Sequence, residues 1–109
     1  MKIIKELSEH IEEEIEGAEE YIKAAIKYKH EYPSLANTLY EMSLDEMHHM
    51  NLIHGEVVKL IEEHRREKGT PPAAMLAVYD YLHEKQIEEA NEVKMYQSQY
   101  RDADTGKNR

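Results

Sequence analysis

Residues 42–53 read Met-Ser-Leu-Asp-Glu-Met-His-His-Met-Asn-Leu-Ile. Glu46 and His49 are three apart, so on a helix they share a face. The apolar positions around them are Leu35, Leu39, Met42, Ile53, Val57 and Leu60. With positions 46 and 49 included, the steps alternate between three and four, the spacing of a buried helical seam. Two slots of that seam hold a carboxylate and an imidazole where the pattern asks for leucine. A buried carboxylate is costly unless it is paired or bound to a metal. The stretch therefore predicts a long helix with an ion or an ion pair in its seam.

The flanking chain carries two more helical patterns. Over residues 3–30, Ile4, Leu7, Ile11, Ile15, Ala18, Ile22, Ala25 and Ile26 form a narrow stripe at about 100° per residue. Glu12, Glu13, Glu16, Glu19, Glu20, Lys23 and Lys27 fall outside it and read as a solvated face with local pairs such as Glu19–Lys23. Glu14 stands at the edge of the stripe, with Tyr21 two turns on. Pro33 is a helix-start signal, so the second helix is expected from about 34 to 68. Gly69-Thr70-Pro71-Pro72 reads as a stop and restart, with Gly past the helix end, Thr70 as N-cap and Pro71 at the first helical position. A third helix is expected over 71–102, with the stripe Met75, Tyr79, Leu82, Gln86, Glu89, Val93, Tyr96 and Tyr100. Again a carboxylate, Glu89, occupies a seam slot. Residues 103–109 are expected to form a disordered tail.

The fold class expected is all-α: one domain over 1–102 of long antiparallel helices joined by short loops. Three helices leave each seam partly shared, so a homodimer or higher homo-oligomer is expected. The formal net charge of −9 argues against nucleic acid as a partner and favours cations. With no Cys there is no thiolate nucleophile, no disulfide framework and no Cys-ligated metal centre. No membrane-length apolar run and no signal peptide is read, and a cytoplasmic location is expected.

Distances from the turns bring the misplaced carboxylates to one level. Glu14 precedes the first turn, near residue 32, by about as many residues as His49 follows it. His49 and Glu89 flank the second turn, near residue 70, in the same way. In antiparallel hairpins, equal separation from the turn means equal height. Glu14, His49 and Glu89 should thus share a level, with Glu46 one turn away. Carboxylate and imidazole together suit iron, manganese or zinc. Tyr21 follows Glu14 by seven residues and Tyr96 follows Glu89 by seven, which places each phenol on the side of its carboxylate.

Glu46-x-x-His49 on one helix, with Glu14 on the preceding one, resembles the ferritin-like carboxylate proteins, and among them the rubrerythrin type. Glu14…Tyr21 followed by Glu46…His49 looks like that family's first repeat unit, and Glu89…Tyr96 like the opening of a second. The fourth helix, with its second Glu-x-x-His, has no counterpart, so the resemblance covers roughly residues 4–100. It implies a ferritin-like bundle and a dinuclear iron site with Glu14, Glu46, His49 and Glu89 as metal ligands; manganese or zinc would fit the same donors. It further implies ferroxidase or peroxidase chemistry on O2 or peroxide, with Glu46, His49 and Tyr21 as the catalytic group. Two chains meeting at a two-fold axis, as in the short encapsulated-ferritin-like proteins, would supply the missing half. A swapped arrangement using Glu89, or a chain that is part of a longer one, are the alternatives.

Plainer readings stand beside these. Glu46 and His49 could be a structural ion pair in a non-catalytic oligomerisation module, Glu14 a rim carboxylate, and Glu89 a solvent-facing one. A manganese catalase-like protein would use the same ligands. His10, His30, His54, His64 and His83 are expected as surface or interface residues, and the Met residues as packing.

Overall fold

A computed structural model describes residues 2–107, with side chains through Asp102. It is all-helical among the described residues: α1 (Lys2–Tyr28), α2 (Pro33–Lys68) and α3 (Ala73–Lys107). The expected tail at 103–109 lies outside the described side chains. Long helices on short loops give an elongated body of 57 × 19 × 16 Å.

The helix ends follow from local chemistry. Pro33 opens α2, its ring presetting the helical φ at a position where the missing N–H is no loss. Gly69 closes it with φ 79° and ψ −171°, a region that only glycine occupies readily, while its N–H donates to the Arg65 carbonyl at 3.0 Å. The start of α3 differs from the expectation. Thr70 is not its N-cap and Pro71 not its first residue: the helix begins at Ala73, and the Pro72 carbonyl accepts the N–H groups of Met75 and Leu76 at 3.0 and 3.1 Å. The cause is the Pro-Pro pair, since Pro72 pushes the residue before it out of the helical region.

α1 is the central element. It packs along both other helices, whereas α2 and α3 meet at few points. Most of its predicted stripe is buried: Ile4, Ile11, Ile15, Ala18, Ile22 and Ala25, whereas Leu7 is half-buried and Ile26 exposed. Two apolar clusters result. One holds Ile11, Ile15, Ala18, Met47, Met50, Ala90 and Val93. The other holds Ile22, Ala25, Ala36 and Tyr100, with Tyr28, Leu39, Tyr40 and Tyr96 against it. A polar layer links the three helices where the clusters meet. The Ser43 hydroxyl donates to the Ala18 carbonyl at 2.8 Å, and the Gln97 amide donates to Ser43 Oγ at 3.0 Å.

The buried face of α2 is one residue out of phase with the expected seam. Ala36, Ser43, Met47 and Met50 face α1, while Leu35 and Met42 are exposed. On α3, Gln86, Ala90, Val93, Gln97 and Tyr100 are buried, while Met75 is exposed. Gln86, Val93 and Tyr100 of the expected α3 stripe are thus buried, and the rotation concerns α2. There Ala36 and Ser43 let the helix approach α1 closely, so they take the inner face with Met47 and Met50, and Leu35 and Met42 are left outside. The N-terminal half of α3 stands away from α2, and a largely apolar groove of about 680 Å³ opens there between Ile4, Ile11, Val57, Ile61, Met75 and Leu82.

Candidate metal centre

Glu14 lies on α1 in the same turn as Ile15, at the edge of its buried stripe. Glu46 and His49 lie on the flank of α2, beside buried Met47 and Met50. The antiparallel hairpin brings these three together at one level. One ligand atom from each lies within 4.8 Å of the others, and theirs is the group of this kind found among the described residues. His49 Nδ1 is 3.6 Å from Glu14 Oε2, too long for a hydrogen bond but close enough for electrostatic attraction. Glu14 Oε2 is itself buried without a hydrogen-bond partner. A buried carboxylate oxygen left without a hydrogen bond is unfavourable, and a cation, whether a protonated His49 or a metal ion, relieves it.

The two carboxylates crowd each other. A hydrogen bond shared with Glu14, followed by burial, raises the Glu46 carboxyl from 4.5 to about 7, and His49 opposes the shift only in part. Two carboxylates this close do not both ionise freely in the absence of a cation. Gly17 lies beside the pair without being required by it. It sits one turn after Glu14, and a Cβ there would lie 3.4 Å from Glu46 Oε2. That distance is an ordinary van der Waals contact, so alanine fits at this position and would remove the roughly 1 kcal/mol cost of a glycine inside a helix. Ser43 and Gln97, which tie the three helices together beside the group, were present in the sequence, yet the apolar periodicity passed over both.

Glu89 is placed elsewhere. It stands at the expected level but on the other side of α1, against Glu12, with Lys85 Nζ at 3.7 Å from Glu89 Oε1. Burial, then contact with Glu12, raises its carboxyl. Height follows from the loop positions, whereas side depends on helix rotation, and residues 12 and 14 point in different directions on α1. One chain therefore does not bring Glu89 to Glu14, Glu46 and His49. Tyr21 is half-buried two turns beyond Glu14 and makes no hydrogen bond to the group among the described residues. Tyr96 packs in the second apolar cluster with Lys23 over its ring at 5.4 Å, away from Glu89.

The group is open on one side. The His49 side chain is 53% exposed and that of Glu14 24%. Exposed Leu35 and Met42 continue the stripe that carries Glu46 and His49. No protein-family model, curated protein or solved structure matches the chain.

Proposed function

We propose that the chain binds iron through Glu14, Glu46 and His49, and that two copies complete a dinuclear centre with ferroxidase-type activity. The observation that carries the reading is the buried Glu14 oxygen, which lacks a hydrogen bond and faces a second carboxylate and an imidazole from the neighbouring helix. The donors fit a first-row divalent ion, for which mixed carboxylate and imidazole ligation is suited. Iron bound there supplies the electron-transfer chemistry toward O2 or peroxide.

The chain's own residues contribute charge, orientation and access. Glu14 and Glu46 provide the anionic donors, and deprotonation of Glu46 is the step that opens the site. His49 offers Nδ1. The surface, at net charge −9, draws cations toward it.

The open side of the group favours the two-fold arrangement. Three donors leave coordination positions free, and the exposed stripe of Leu35 and Met42 runs through the site. A two-fold axis along that stripe covers the apolar residues and sets two ligand groups face to face. With α1 and α2 from each of two chains, four helices surround the centre, as in a ferritin-like bundle. Glu89 takes no part in this arrangement.

A second reading rests on the 3.6 Å contact of His49 with Glu14, which would serve as a structural ion pair in a non-catalytic module. Anaerobic loading with Fe(II) followed by admission of air distinguishes the two. Ferric absorbance should rise faster than in buffer and fall to the buffer rate in Glu46→Ala and His49→Ala. Equal rates in parent and variants would reject the catalytic reading. Manganese loading with release of O2 from peroxide would instead favour a catalase-like activity.

A further inference from the structure

We infer that His54 and His83 form a second metal site, a clasp between α2 and α3 that takes one imidazole-preferring divalent ion, of which zinc(II) is the type. The two Nε2 atoms are 3.2 Å apart. The rings are nearly parallel, with an interplanar angle of 16° and centroids 5.1 Å apart. The rings are stacked with an offset, and the Nε2 atoms are where they approach within hydrogen-bond distance. Without metal, one ring donates its N–H and the other accepts. A zinc ion held about 2.0–2.1 Å from each nitrogen would subtend an N–Zn–N angle of about 100°, near the tetrahedral value. The pair is thus spaced for an ion to replace the shared proton after a small rotation of the rings.

The surroundings suit the remaining ligands. A cleft of about 150 Å³ adjoins the pair, and Asn51, Gln86 and Asn91 line it with polar groups. Water there can complete the coordination sphere, since a molecule of liquid water occupies about 30 Å³. Lys94 also lines the cleft, but its side chain is exposed and can turn to solvent. No carboxylate lines this cleft, so its donors are nitrogen and neutral oxygen, while Asp80, one turn before His83, lines the groove on the other side of the pair. That set favours zinc, nickel or copper over magnesium or manganese, and it contrasts with the two carboxylates of the Glu14 group. Position gives the clasp its consequence. α2 and α3 meet at few points, and His54 and His83 join them at the mouth of the apolar groove. Zinc at this point ties the N-terminal half of α3 to α2.

The test uses the full chain carrying Glu46→Ala, which disables the other group and makes the result independent of the proposed iron centre. Calorimetric titration with zinc(II) should show one site per chain in the micromolar range. Adding His54→Gln or His83→Gln should weaken it about tenfold or more. Zinc should also slow amide exchange over residues 73–86 and shift the imidazole nitrogen resonances of both histidines. Both substitutions are at solvent-accessible positions, and circular dichroism verifies that helicity is kept. Absence of a micromolar site, or equal affinity in the histidine variants, would overturn the inference and leave a simple histidine–histidine hydrogen bond.

Discussion

At Glu46 a proton and a cation compete for the same space. Its carboxyl titrates at about 7 in the folded chain against 4.5 as its ordinary value, because Glu14 lies against it and burial disfavours its charge. Between those two pH values the unfolded chain binds fewer protons at this site than the folded one, so stability falls as pH rises through the window. Denaturation with urea in the presence of chelator should therefore show the parent losing stability against Glu46→Gln between pH 4.5 and 7. Metal reverses the preference, since only the ionised carboxylate is a good ligand, and affinity should increase with pH up to about 7. A different residue-scale balance holds at Ser43. Ser43→Ala removes the partner of a buried Gln97 amide, and the expected loss is about 1–3 kcal/mol by chemical denaturation. Ser43→Ala combined with Gln97→Leu should recover part of it, because no amide is then left unpaired.

Among the elements, α1 was the most legible in the sequence. Its isoleucine and alanine stripe is the face that is buried, because it packs against helices on both sides. α2 was legible in extent but not in rotation. Two stripes compete on it, and apolar periodicity chose Leu35 and Met42 over Ala36 and Ser43. A small-residue stripe carries a weak hydropathy signal even where it allows the closest helix approach. The same ambiguity placed Glu89 at the right height on α3 but on the wrong side of α1 for the Glu14 group. Levels come from counting residues to a turn, whereas facing depends on rotations that only packing fixes. Glu14, Glu46 and His49 do come within reach of one another, since that proximity needs only the first hairpin. α3 itself is unevenly anchored. Ala90, Val93, Gln97 and Tyr100 are buried, while residues 73–85 include no buried position. In the metal-free chain, amides of 77–85 should exchange markedly faster than those of 90–100. Uniform protection along α3 would show that the groove is closed in solution.

For the whole molecule, three helices make a body with two unfinished surfaces: the groove beside α3 and the stripe through Glu46 and His49. The second carries the proposed function, because a half-open ligand group and exposed apolar residues lie along one line. Neither alone specifies a two-fold partner; together they favour a second copy, whose own Glu14, Glu46 and His49 would face the first set. The net charge of −9 opposes self-association, and bound cations at the interface would offset part of that repulsion. Association and metal loading should then be linked, each strengthening the other. Native mass spectrometry of the chain loaded anaerobically with Fe(II) tests this most directly, since it weighs chains and ions in one species. The expected species is a dimer carrying two iron ions, and both the ions and the dimer should be lost in Glu46→Ala. A monomer that holds two ions, or a chain that takes up no iron and is unchanged by Glu46→Ala, would contradict it.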